Sequence, residues 1–234
     1  MSKLVRFLVL AASRRHSSVC FAGKAIGRDE PGSWIRPVSY RDGRVSASDF
    51  FYEGSGQPMG KRDLVELHLA QPVPCYGYQC ENWLVERGLA PQKLGRVPKA
   101  RMIEWCDTPS ALWHNGYSSR GGLNDRIPLE LACHQSLGSL LFVELHAVHF
   151  IVSRADDGRQ RVRARFRYGS DEYRLVVTDR ECESWALAQG LGEHRLTGRR
   201  VFGCISLGEP YHDHAYKLLA GVYSVRIDDR DADL

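Results

Sequence analysis

No apolar run in this chain is long enough to cross a membrane. The opening stretch from Phe7 to Ala12 is halted by Arg14 and Arg15, far short of the roughly 18 apolar residues a spanning helix needs. It is also too short for a secretory leader, and a first β-strand fits it better. Cysteine is scarce and odd in number, seven in 234 residues, at 20, 75, 80, 106, 133, 182 and 204. A chain of this size does not depend on disulfide staples, so free thiols, a reducing compartment and a cytoplasmic setting are expected. No Gly-x-Ser-x-Gly elbow, phosphate-binding glycine loop or dinucleotide fingerprint occurs, which leaves nucleophilic catalysis and the common nucleotide-binding enzymes without a signature. Low-complexity tracts are missing too. Neither sign of charge dominates: 32 Lys and Arg stand against 28 Asp and Glu, for a net charge of +4. Any basic surface must therefore be local.

One is. Arg159, Arg161, Arg163, Arg165 and Arg167 stand at every second position, separated by Gln160, Val162, Ala164 and Phe166. Side chains of a β-strand alternate between faces, so this spelling puts the arginines on one side and a mostly apolar set on the other. The stretch contains no acid. Such a row is suited to tracking a phosphate backbone, although a soluble outer face of a half-buried strand reads the same way. The ends of the chain differ in charge. Residues 1–40 hold Lys3, Arg6, Arg14, Arg15, Lys24, Arg28 and Arg36 against Asp29 and Glu30, whereas 229–234 form an acidic tail.

The second half has the clearer pattern. Strands are predicted over Leu140 to Val152, the arginine stretch and Glu172 to Thr178, with turns at Asp156-Asp157-Gly158 and Gly169-Ser170. Asp179 caps a helix from Arg180 to Gln189. Val201 to Leu207 is a fourth strand, broken by Gly208-Glu209-Pro210, and Ala215 to Ile227 a fifth. Three strands, a helix and two strands is the order of an OB-fold, a small Greek-key barrel whose second and third strands form the usual ligand face. In the first half, strands are predicted over Leu4 to Ala11, Val19 to Ala25, Trp34 to Tyr40 and Asp63 to Ala70, with a short helix from Glu81 to Arg87. The fold class expected is mainly β, with short helices and two OB-like barrels fused in one unit. The barrels are expected over 1–136, with loop and helix decorations, and 137–228.

Several groups are candidates for ligand contact. Arg14, Arg15 and His16 lie in the loop that joins the first two strands, where OB-folds clasp ligands. Trp34 and Arg36 are two apart and share a strand face, so the indole would stack on a base and the guanidinium reach a phosphate, unless Trp34 is core. Gln79, Glu81 and Asn82 form a polar group that would read base edges, or cap the following helix. Glu209, Tyr211, His212 and His214 occupy the loop between the last two strands, and Lys217 follows on the fifth. For metals, Cys75 and Cys80 have no second matching pair, and His146 and His149, three apart on a strand, are expected on opposite faces. His212 and His214 with Glu209 or Asp213 would be the remaining set, but loop histidines are the better reading. No metal and no cofactor is expected.

Five strings together resemble the dual OB-containing domain family. They are Ser13-Arg14-Arg15-His16 running into Val19-Cys20-Phe21-Ala22-Gly23, then Ser33-Trp34-Ile35-Arg36-Pro37-Val38-Ser39. Tyr78-Gln79-Cys80-Glu81-Asn82-Trp83-Leu84 follows, then Cys204-Ile205-Ser206-Leu207-Gly208-Glu209-Pro210, and Tyr216-Lys217-Leu218-Leu219-Ala220. Phe21 stands where the family favours an aliphatic residue, and Cys80 where it favours proline. The resemblance implies two OB barrels, a bacterial source and nucleic-acid binding beside defence genes.

The expectation is a cytoplasmic module, not itself an enzyme, that grips single-stranded DNA or RNA through Arg161, Arg163, Arg165 and Arg167. A protein partner would carry any chemistry. Two other readings stay open: a nucleotide-sensing or nucleotide-processing enzyme with a pocket between the barrels, and a protein–protein adaptor.

Overall fold

Alternation decides the strands. In β4 (Asp63–Pro72), Asp63, Val65, Leu67 and Leu69 are buried and the residues between them are not, so one face of the strand makes core. The structure, a computed structural model, describes residues 2–15, 18–27, 32–39 and 50–227. The acidic tail lies outside the described residues.

The first barrel is built from β1 (Lys3–Arg15), β2 (Ser18–Ile26), β3 (Trp34–Val38), β4 and β5 (Asn82–Val85). They close in the order β1-β2-β3-β5-β4-β1, with β3 and β5 parallel and the other pairs antiparallel. β6 (Gln92–Arg96) takes the remaining edge of β4. The second barrel repeats this plan. β8 (Leu140–Arg154), β9 (Gln160–Tyr168), β10 (Asp171–Val177), β12 (Arg199–Tyr211) and β13 (His214–Arg226) close as β8-β9-β10-β13-β12-β8, with β10 and β13 parallel. Two fused barrels with OB connectivity follow. β7 (Arg126–Pro128), ahead of residue 137, adds to β13, and β11 (Gly192–Arg195) adds to β8. α1 (Leu129–His134) precedes β8, and α2 (Arg180–Ala188) joins β10 to β11. No described helix is long and apolar enough to cross a membrane.

β1 explains why the chain begins with an unbroken apolar run. Phe7 and Val9 point into the first barrel, while Leu8, Leu10 and Ala11 point outward into a third core shared with Phe142, Phe202, Cys204 and Tyr223 of the second. The backbones touch there: a Cβ on Gly221 would lie 2.3 Å from the Leu10 carbonyl oxygen, which also accepts from the Tyr223 hydroxyl at 2.8 Å. Lys61 of the first barrel and Asp179 of the second form a buried ion pair at 2.5 Å.

The linking segment finishes the second barrel. β10 and β13 pair only at Val176 and Val177. Leu123 bridges Arg174 beside that gap, the Asp125 carbonyl accepts from the Lys217 amide at 2.8 Å, and β7 follows on β13. A 3-10 turn over Lys99–Trp105 plants Met102 in the core between the barrels.

Three local expectations are corrected. Glu81 to Arg87 is not a helix: Asn82–Val85 is β5, because Trp83-Leu84-Val85 fits between β3 and β4 better than onto a helix face. Gly208-Glu209-Pro210 does not end β12, which runs to Tyr211 through a bulge between Leu207 and Pro210. His146 and His149 share a face, opposite Arg167 and Arg165, because a bulge with Ala147 at φ 50° absorbs the odd residue between them.

Candidate nucleic-acid interface

β9 displays the arginines as its period requires. Val162, Ala164 and Phe166 are buried in the second core, and Arg161, Arg163, Arg165 and Arg167 stand on the outer wall. Neighbouring strands extend the charge in part, although Glu172 of β10 stands opposite Arg167 without forming an ion pair. Arg174 on β10 lies opposite Arg165, His149 on β8 faces Arg165 from the other side, and Arg195 on β11 continues that row. Adjacent strands are about 4.8 Å apart, so these groups form a patch two-dimensional enough to follow a backbone.

The row is not wholly unneutralised, and this corrects the reading of an acid-free ladder. Glu193, from β11, accepts from Arg165 at 2.6 Å and also pairs with His149. Asp157, in the turn before the strand, accepts from Arg161 at 3.3 Å. Among the described residues no carboxylate pairs with Arg163, Arg167 or Arg174. Arg163 is the most unusual of them. Its guanidinium lies against Gly121, where a Cβ would approach Nη2 to 2.8 Å, and its Nε is buried without a partner, as is that of Arg174. Burial and then Arg161 push the Arg163 guanidinium below its ordinary range, with Asp125 pulling the other way. Such a cation gains more from an arriving anion than one already paired.

Tyr211 offers a stacking surface. It is 63% exposed at the end of β12, beside the two-residue hairpin His212-Asp213, both residues of which have positive φ. Its ring lies edge-on to His212 at 4.1 Å and near Tyr216 at 6.2 Å. His214 shares a hydrogen bond of 2.7 Å with the His212 carbonyl oxygen. Among the described residues no cluster of metal-ligating side chains forms.

Other expected contacts face inward. Trp34 and Arg36 do share a side, but that side meets the second barrel. Trp34 packs on the shared core, and Arg36 is buried and donates to Asn82 Oδ1 at 3.1 Å, Ser139 Oγ at 2.9 Å and Ser206 Oγ at 3.2 Å. Burial lowers its pKa and Glu81 raises it. Glu81 in turn accepts from the Ser139 amide and hydroxyl, and Gln79 Nε2 donates to the Leu207 carbonyl at 3.0 Å. Gln79, Asn82, Glu81 and Arg36 thus bind the barrels to each other. Lys217, expected on a phosphate, is 1% exposed; its ammonium donates to the His114 carbonyl and Asn115 Oδ1, and burial lowers its pKa to about 7. Arg14 and Arg15 are the last residues of β1, and His16 lies outside the described residues.

A cleft does open at the barrel junction, about 280 Å³, lined in part by Ser13, Arg36, Gln79 and Glu209. His212 and His214 are not among its lining residues. Its cation is already held by the network just described.

Sequence reasoning missed the partners of the ladder. Glu193, Arg174, Arg195 and Gly121 reach it only through sheet register, so no local spacing announces them.

No curated protein matches this sequence. Solved structures that resemble the chain include the Ifi202 HINa domain in complex with a 20-base-pair double-stranded DNA, at 8% identity and a TM-score of 0.37, covering 96% of this chain and 97% of that one. A murine DNA-binding protein bound to double-stranded DNA gives 8% identity and a TM-score of 0.36 over 97% and 99%. The tetrameric p202 HIN2 gives 11% and 0.31 over 97% and 92%. The family model for the dual OB-containing domain matches residues 5–222. With nearly the whole length matched and both barrels closed in OB order, the chain belongs to the dual OB-containing domain family.

Proposed function

We propose that the protein binds nucleic acid along the outer wall of β9, with the phosphate backbone on Arg161, Arg163, Arg165 and Arg167. The observation that carries this reading is the state of Arg163, Arg167 and Arg174, which stand on one wall with no carboxylate partner among the described residues. A merely solvated strand face gains nothing from grouping uncompensated cations, because they repel one another. Strands two and three of an OB barrel are also the face that this fold commonly offers to oligonucleotides.

The bound form is a single strand of DNA or RNA. Tyr211, exposed at the end of β12 in the same barrel, supplies an aromatic ring off the β9 wall on which an unstacked base can stack, a contact that a duplex does not need. Affinity comes from charge and stacking, with little reading of base edges. The test is binding of labelled single strands, duplex DNA and duplex RNA over a series of salt concentrations. The reading requires tighter binding to single strands and a steep loss with salt. Equal or tighter binding to duplex would overturn the single-strand assignment, and salt-independent binding would overturn backbone tracking.

A further inference from the structure

A second basic surface lies between the barrels, away from β9. It is a cleft of about 490 Å³ where α2 faces the first barrel. Its cations come from distant parts of the chain: Lys61 and Arg62 ahead of β4, Arg96 ending β6, Lys99 beyond it, and Arg199 starting β12. Glu181 is the one acid in its lining, and it is used by Lys61 at 3.0 Å, beside the buried pair that Lys61 makes with Asp179. Arg96 shares Asp63 with Lys93, at a distance of 3.7 Å from the carboxylate. Among the described residues, Arg62, Lys99 and Arg199 make no close ion pair, and Glu181 attracts Arg62 and Lys99 only at longer range.

Arg62 is fixed there by the fold. Its φ of 69° is a conformation L residues rarely adopt, and its amide and guanidinium are tied to the Val9 and Val97 carbonyls at 2.8 and 3.0 Å. The opposite wall is aromatic. Trp185 of α2 sets its ring edge-to-face on Phe150, with centroids 5.6 Å apart, and stays 39% exposed with the cleft before it. Leu196 flanks it. Unpaired cations opposite an exposed indole suit a ligand that is anionic at one end and flat at the other.

We propose that this cleft binds a phosphorylated nucleoside, with its phosphate on Arg62, Lys99 and Arg199 and its base against Trp185. The ligand is either a free nucleotide or one nucleotide unit of a bound strand. This site is separate from the β9 wall, and its occupancy does not depend on that wall being used.

The test is titration of the full chain with adenosine triphosphate, with inorganic pyrophosphate, and with a single-stranded oligonucleotide of about 20 residues, longer than the roughly 4–16 nucleotides one OB barrel engages. Tryptophan fluorescence and thermal stabilisation are the readouts. Lys99 and Arg199 lie at the rim, so K99A/R199A should fold, and circular dichroism checks that it does. Binding of adenosine triphosphate that falls at least tenfold in K99A/R199A, and loses its advantage over pyrophosphate in W185A, supports the free-nucleotide form. No binding of adenosine triphosphate, with oligonucleotide affinity lowered in both variants, supports the strand form. Affinities unchanged in K99A/R199A for every probe would overturn the proposal. So would pyrophosphate binding as tightly as adenosine triphosphate with W185A indifferent, since the base would then have no seat. R163A/R167A separates the two sites: it should leave the adenosine triphosphate titration unaltered whatever it does to oligonucleotides.

Discussion

Arg165 donates to Glu193 at 2.6 Å, so the middle of the arginine row carries its own counter-ion from a neighbouring strand. The rungs on either side, Arg163 and Arg167, have none among the described residues. The row is therefore graded, and the grading gives each rung a different expected weight.

Replacing Glu193 by glutamine should strengthen oligonucleotide binding. It frees Arg165 and removes a like charge from the path of the phosphates. An exposed pair of this kind is worth about 0.5–1 kcal/mol, so affinity should rise by roughly two- to fivefold. R165A should weaken binding less than R163A, because Arg165 must first release a partner. Fluorescence anisotropy on one labelled strand checks both, and a weaker E193Q complex would count against the assignment.

Tyr211 should contribute without charge. Y211A is expected to lower single-strand affinity by about 1–3 kcal/mol, the range for one base–aromatic stack, with the dependence on salt unchanged. A change in that dependence with no loss of affinity at low salt would mean the ring does not stack.

Asp179 holds the barrels together. One carboxylate oxygen accepts from Lys61 at 2.5 Å and the Val222 amide at 2.7 Å, and the other accepts from the Cys182 amide as the cap of α2. D179A leaves the Lys61 ammonium buried without its buried counter-ion, with the exposed Glu181, the Val222 carbonyl and the Tyr223 ring still beside it. The expected cost is about 3–5 kcal/mol, read as a lower urea midpoint. K61M should also destabilise, since it strands the carboxylate. Unchanged midpoints in both would show that the pair is not structural.

Lys217 predicts a pH dependence with a definite sign. Its pKa falls from 10.5 in the unfolded chain to about 7 in the folded one. The unfolded chain then binds more protons between those values, so this lysine makes stability rise as pH increases from about 7 toward 10.5. Below pH 7 both states are charged and its penalty is fully present. Burial raises the Cys182 and Cys204 thiols, which opposes the trend above their unfolded value near 9. The difference between wild type and K217M over pH 6–9 isolates the lysine: the variant should lack the rise. Parallel profiles would refute it.

What the residues disclosed follows from range. The arginine strand was legible because strand periodicity is local, and the order of elements after Leu140 gave the second barrel. β5 was not, since Glu81 to Arg87 mixes polar and apolar residues and only its place between β3 and β4 makes it a strand. Arg36 and Lys217 read as surface cations because burying a charge takes partners far along the chain: Ser139 and Ser206 for one, His114 and Asn115 for the other. Glu193 was equally hidden, 28 residues beyond the arginine it neutralises. The cleft between the barrels draws its walls from both halves of the chain, which no window on the sequence spans.

The account turns on whether the uncompensated rungs meet phosphate. The direct measurement is the slope of log affinity against log salt for a single-stranded oligonucleotide, wild type beside R163A/R167A. Loss of two phosphate contacts should make the slope shallower by about 1.4–2. An unaltered slope, with both proteins folded, would contradict the β9 wall as the binding surface.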